Sequence, residues 1–475
     1  MNKTGEFIKK IMYSIGANAL HLSVSLLTTL LVPKFFGVQI EQYGYLQIYL
    51  FYVSYIGFFH LGLCDGIYLR DAGKKYEDLD KRLYSSQFWI LTSFSGIILA
   101  VISVLGFFTA KDADYRFILY MIGANVLIYL PRTMLQYYLQ TTNRIKEYAS
   151  ITTVGRLVYG IELILIFIFA KPDYHVVVIA DVLAKALAFL VSILWCHDIV
   201  FAKPANIVIG LRECLQNISV GIKLLFANIA SMLISGIVRW GIEQKWSVAT
   251  YGKISFSLNV SQFLLMFISA VALVLYPTLR TVDKEKLPRI YNMIRNSLMM
   301  PLLGCMILYY PVEIVLSQWL PQYAESMKYM AILFPLCIFS AKMSLLIQTY
   351  MNVFRMEKKM LIVNIVGVAV AVVTTVISIF IMENLTAAIF SIVINQIIRC
   401  MLAEYVLTKQ MQIDVRKNNL FELILTVIFI ISNWYIGGWI GVCIYAVSYV
   451  LYCIIERSQF IDLFNMFKKL RHAKF

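Results

Sequence analysis

The chain has 475 residues, of which 60% are hydrophobic and 15% charged, and its mean hydropathy is +0.75. That balance excludes an array of soluble domains, because apolar runs of about twenty residues recur from end to end, each long enough to cross a hydrocarbon core of ~30 Å. The net charge of +15 does not point to nucleic acid, because the cations concentrate in loops that the positive-inside rule places in the cytoplasm.

In chain order, Lys3, Lys9 and Lys10 put the N-terminus inside. The first apolar run is too long for a signal-peptide core and lacks a small-residue cleavage site, so it is expected to stay as helix one, about 11–33. Helix two follows at about 44–69, then a charged loop from Arg70 to Gln87. Helices three to six are expected near 88–108, 116–139, 148–170 and 175–197, with Asn143-Arg144-Ile145-Lys146 as an inside turn. A polar connection, 198–216, reads as a cytoplasmic linker lying partly on the membrane surface. Helices seven to twelve fall near 217–239, 249–276, 294–316, 328–351, 361–382 and 385–408. Two more spans, about 419–435 and 438–456, turn at Gly437-Gly438 before a basic tail.

Every even-numbered helix is followed by a basic loop, so both termini are expected in the cytoplasm. The eight cysteines include no C-x-x-C pair and read as small apolar residues. Corresponding landmarks recur across the chain: Gly44 and Gly252 are 208 apart, and Arg70 and Arg280 are 210 apart. Arg132 and Lys342 are also 210 apart, and Gly155 and Gly367 are 212 apart. Six helices per repeat is an even number, so the halves are expected to be related by a pseudo-two-fold along the membrane normal. The reading is an all-α polytopic membrane protein of about fourteen transmembrane helices, divided as 1–210, 211–410 and 411–475. These are two six-helix lobes plus two C-terminal helices and a basic tail.

Ionisable groups inside apolar spans are costly unless paired or hydrated, and therefore mark candidate sites. Arg132 in helix four and Lys342 in helix ten lie ~24 Å and ~21 Å from the outer ends of their helices, and Arg399 in helix twelve has a similar depth. Arg offers a bidentate fork and Lys a point charge to an anion; the bland alternative is snorkelling to the membrane face. Glu404, one turn beyond Arg399, is a candidate neutraliser of that residue. Arg156 and Glu162 in helix five join Asp181 and Lys185, an i,i+4 pair in helix six. Structural neutralisation competes there with a protonatable coupling site. Asp65, His60 and His21 in helices one and two are further candidates for ion coupling. Tyr137-Tyr138 and Tyr309-Tyr310 are candidate stacking faces for a ligand, although most aromatics are expected in packing or the interfacial belt.

Pro33-Lys34-Phe35-Phe36-Gly37 followed by Glu41-Gln42-Tyr43-Gly44 resembles bacterial polysaccharide transporters. These are the O-antigen and capsule flippases of the multidrug/oligosaccharidyl-lipid/polysaccharide exporter superfamily. Gln140 with Asn143-Arg144, and Val248 with Tyr251-Gly252 and Tyr276-Pro277, are similar too. Helix seven departs from a common pattern, because Ile237-Val238-Arg239-Trp240 lacks an acid before the basic residue. The resemblance implies an inner-membrane flippase that moves an undecaprenyl-diphosphate-linked oligosaccharide from the cytoplasmic to the periplasmic leaflet by alternating access. It implies no enzymatic step and no cofactor or metal. The implied partners are the lipid-linked substrate, membrane lipids, and the polymerase and chain-length proteins of the same pathway. Substrate-binding residues would be Arg132, Lys342, Arg399, Arg156 and Lys185, and ion-coupling residues Glu162, Asp181, Asp65 and His21. A drug exporter of the same superfamily would favour acids in its cavity. A membrane polymerase or glycosyltransferase would carry a large external loop or catalytic domain.

Overall fold

The computed structural model describes residues 23–262, 265, 279 and 285–457. His21, Arg280, the N-terminal cations and the basic tail lie outside them. The described residues are helical with no strand, and the protein is a multi-pass membrane protein. Eleven helices are long and apolar enough to cross a membrane, and one bent pair, Ile40–His60 with Leu63–Asp71, counts as a twelfth if it is a single span. A shorter apolar helix, Ser23–Phe36, is the described part of the expected first span. Of the expected eighth, helix Val248–Ser261 lies among the described residues.

Helix starts follow local chemistry. Asp80, Asp112, Asp173 and Asn384 each accept a backbone N–H from the first turn of the helix that follows. This satisfies donors that a helix N-terminus leaves unpaired. The spans Lys81–Thr109, Ala113–Thr141, Tyr174–Trp195 and Leu385–Met411 begin there.

Two expected elements differ. Helix two is broken: Ile40–Val53 continues as a single 3-10 stretch, Ile56–His60, then reverses at Leu61 (φ 54°) and Gly62 (φ 88°) before Leu63–Asp71. The bend is 55°. The cause is close backbone packing. A Cβ on Gly66 would collide with the Asn217 carbonyl, and one on Gly221 with the Gly62 carbonyl. Small residues let membrane helices approach in this way. The linker also differs, because from Ile207 it is the start of a single 39-residue helix, Ile207–Lys245. At ~1.5 Å per residue it is far longer than a bilayer core.

The chain divides into two compact units, 1–229 with 247–252, and 230–246 with 253–475. In the first unit, helix Lys81–Thr109 has only 17% of its apolar window buried and presents Val104 and Phe108 outward; Ala113–Thr141, at 50%, lies further inside. The basic loops of this unit are tied together. Lys81 Nζ lies 2.6 Å from Asp198, Tyr76 donates to Asp198 at 2.7 Å, and Arg144 stacks 4.5 Å over the Tyr76 ring. Burial would push the Asp198 carboxyl up, but the hydrogen bonds from Lys81 and Tyr76 outweigh it and hold it below its ordinary value. In the second unit Met330–Val353 is the central helix, with 89% of its window buried. It carries a π-helical stretch over Lys342–Ile347.

Gly44 and Gly252, 208 positions apart, meet in the first unit. A Cβ on Gly44 would strike the Val248 carbonyl, and one on Gly252 would sit 2.9 Å from Gly44 Cα. Gly44→Ala should therefore destabilise the protein by about 1–3 kcal/mol through forced backbone displacement. Gly96→Ala is the control, since a Cβ there meets nothing within 4 Å. Thermal unfolding in detergent distinguishes them, and equal melting of the two variants would refute the crossing.

Candidate functional site

Within the first unit, four segments enclose a cavity of about 380 Å³. Helical periodicity explains the lining. Tyr129, Arg132 and Gln136 share one face of Ala113–Thr141, and Tyr148, Thr152, Arg156 and Tyr159 share one face of Ile145–Phe169. Asp181 and Lys185 come from Tyr174–Trp195, and Leu50, Val53 and Ser54 close the fourth side. The lining residues carry three cations and a single carboxylate.

The carboxylate is already matched. Lys185 Nζ lies 2.5 Å from Asp181 Oδ2 and donates to Asn125 Oδ1 at 3.0 Å. Asn125 donates to the Tyr49 hydroxyl at 2.7 Å, and that hydroxyl donates to Asp181 Oδ2 at 2.5 Å. The four groups form a closed hydrogen-bonded ring, with each member orienting the next.

Arg132 stands apart from this ring. Its guanidinium lies 5.0 Å from the Tyr129 ring centroid, a cation–π contact that leaves the N–H groups available. Its Nε, like the Tyr159 hydroxyl, is buried without a hydrogen-bond partner among the described residues. Arg132 also makes no ion pair among them. Buried donors of this kind are costly to leave unmet, and here they belong to residues that line the cavity. Gln136 donates to Thr152 at 3.2 Å across the same wall.

Arg132, Arg156, Asp181 and Lys185 are thus brought together, and the other candidates lie elsewhere. Asp65 sits at the break of helix two, 3.9 Å from His60 Nε2, and accepts from Tyr137 at 3.5 Å. Glu162 does not line the cavity, and its Oε2 is buried without a hydrogen-bond partner among the described residues. Tyr138 is fully buried beside Tyr84; the tyrosines that reach the cavity are Tyr129, Tyr148 and Tyr159, which the sequence did not single out. Among the described residues no three His, Cys, Asp or Glu side chains gather as a metal site, and the eight cysteines are unpaired.

Lys342 and Arg399 lie in the second unit. The Lys342 ammonium is fully buried, 2.5 Å from Glu404 and 2.8 Å from Glu422. Arg295 reaches the same two carboxylates at 2.9 and 2.5 Å. Asn419 Oδ1 accepts from both cations at 2.7 Å, and Tyr291 donates to Glu404 at 2.8 Å. Two cations and two anions therefore cancel in a group drawn from four helices. Sequence reasoning named neither Arg295 nor Glu422. Arg399 donates to Asn364 at 3.0 Å and to Ser231 at 2.6 Å. Its expected neutraliser, Glu404, is engaged by Arg295 and Lys342 instead.

No family profile matches this sequence, and no curated protein matches it. Solved structures do. The lipid II flippase MurJ in an inward closed conformation is 13% identical, with a TM-score of 0.57 over 94% of this chain and 99% of that one. An inward-facing multidrug resistance MATE family transporter of the MOP superfamily is 13% identical, with a TM-score of 0.60 over 83% of this chain and 98% of that one. The chain shares the fold of these two structures. On it, the basic cavity belongs to the N-terminal unit and the closed charge group to the C-terminal one. At this identity the likeness speaks to the fold, so substrate chemistry has to be argued from the cavity.

Proposed function

We propose that the protein is a flippase that carries a lipid-linked oligosaccharide diphosphate from the cytoplasmic to the periplasmic leaflet of a bacterial inner membrane by alternating access. The observation that carries this reading is the cavity beside Arg132: basic in balance, walled by tyrosines, with its only carboxylate neutralised by its own lysine. A pyrophosphate needs cations in a partly dehydrated site, and a guanidinium fork suits paired phosphate oxygens. Arg132 and Arg156 are assigned to the diphosphate, Lys185 to holding Asp181, and the Tyr129, Tyr148 and Tyr159 faces to the first sugars. The moving bodies are the lobes 1–210 and 211–410, with 411–475 carried by the second. Lys342 and Arg399 are assigned to holding the second lobe together, because a substrate role would require breaking the partnerships described above. Ion coupling is assigned to Asp181, which joins a Lys185 ammonium and a Tyr49 hydroxyl at the cavity wall. A drug exporter would present net acid to a cationic cargo; this cavity presents net base.

Purified protein in liposomes should translocate an undecaprenyl-diphosphate oligosaccharide, read by the fraction accessible to an external glycosidase. An inside-negative potassium/valinomycin potential should accelerate it. A dianion moving outward across 100 mV gains roughly 4–5 kcal/mol. Extrusion of a cationic dye with no movement of the lipid-linked glycan would overturn the reading.

A further inference from the structure

The second unit holds a separate cavity of about 500 Å³, away from the charge group around Lys342. Helices Glu357–Thr375 and Leu385–Met411 build it where the first begins and the second ends. Two lysines stand at its mouth, Lys359 in the first turn of one helix and Lys409 in the last turn of the other. Lys359 donates to Gln410 Oε1 at 3.1 Å, which holds one ammonium over the opening. Three to four residues deeper, ~5 Å along each helix, the walls become apolar: Ile362 is 61% exposed and Tyr405 55%, with Val406 beside them. Among the described residues no carboxylate lines the cavity.

We propose that this groove is a binding site for an anionic diacyl phospholipid of the bilayer. The polarity gradient runs along the helices as it does along such a lipid. The phosphodiester lies between Lys359 and Lys409, and an acyl chain covers Ile362, Tyr405 and Val406. Paired cations without an acid select against a zwitterionic headgroup, whose ammonium they repel. The apolar walls distinguish the site from one for a soluble anion, which would leave Ile362 and Tyr405 in contact with water or lipid tails at random. The face is the one that the alternation of basic loops assigns to the cytoplasm, where basic pockets between membrane helices meet anionic headgroups. The site does not depend on what the N-terminal cavity transports.

Native mass spectrometry of the detergent-purified full chain, titrated with phosphatidylglycerol or phosphatidylcholine, tests this. Wild type should retain one phosphatidylglycerol in preference to phosphatidylcholine. Lys359→Gln with Lys409→Gln should lower that retention about tenfold or more. Lys146→Gln with Lys203→Gln, which removes the same charge from exposed positions of the first unit, should leave it unchanged. Both double variants replace exposed side chains, and matching melting temperatures in lipid-free detergent check that they fold. Equal retention by the two double variants overturns the site. So does equal retention of phosphatidylcholine, displacement of the lipid by millimolar inorganic phosphate or pyrophosphate, or a bound mass that is the lipid-linked oligosaccharide.

Discussion

Lys342→Met should destabilise the protein by about 3–5 kcal/mol, the cost of removing one partner from a buried ion pair. The four charged side chains of Arg295, Lys342, Glu404 and Glu422 are 0–2% exposed. Removing the ammonium leaves Glu404 and Glu422 facing a single cation, with one buried negative charge in excess. The surrounding helices, Leu287–Trp319, Met330–Val353, Leu385–Met411 and Arg416–Ile436, would lose a shared tie. A second change tests the cause. Glu422→Gln added to Lys342→Met restores neutrality, because Arg295 and Glu404 then remain as a matched pair at 2.9 Å. The double variant should recover a large part of the lost stability, as neutral replacements of buried pairs often do. Thermal and denaturant unfolding in detergent, with yield in the membrane as a second readout, measures both. A Lys342→Met protein that melts with wild type would show that these charges do not hold the unit together.

The spans were readable in the sequence because membrane insertion is decided largely by local hydropathy, and each expected run from helix three to helix seven and from helix nine onward has a helical counterpart. The break at Leu61-Gly62 was not, because hydropathy runs through it unbroken. What interrupts the helix is the backbone of Asn217–Ile222, some 150 residues away, pressing on Gly62 and Gly66. The long helix from Ile207 was misread for the opposite reason. Arg212, Glu213 and Gln216 made its first turns read as a polar connection, yet no proline interrupts them. Arg132, Arg156, Asp181 and Lys185 were legible because charge inside an apolar run stands out. Tyr129, Tyr148 and Tyr159 were not, since thirty tyrosines offer no local signal for which ones face a cavity. The partners of Lys342 were equally hidden. Arg295 and Glu422 reach it by tertiary packing across 47 and 80 positions. The 210-residue spacing suggested pairing Lys342 with Arg132, but the two cations have different surroundings. One cation is enclosed by two carboxylates, and the other has none within ion-pair distance among the described residues.

Arg132→Gln should lower glycolipid translocation about tenfold or more, the effect of one lost charge-assisted hydrogen bond in a poorly hydrated site, while insertion and protein level stay normal. Normal levels are expected because Arg132 makes no ion pair among the described residues, so its removal strands no carboxylate. Lys185→Gln is the contrasting case. It would strip Asp181 of its 2.5 Å partner and should reduce stability as well as transport. Arg132→Lys should recover part of the flux, since charge survives and the fork does not. Arg132→Gln with Arg156→Gln should fall below either single variant, and the defect should weaken for a monophosphate-linked glycan, which presents fewer oxygens to the pair. Snorkelling, the competing account of Arg132, expects Gln to cost little and the phosphate number of the cargo to be irrelevant. The deciding measurement is initial flipping rate in liposomes with protein density matched between variants. Wild-type rates from the double variant would remove the arginines from the substrate path.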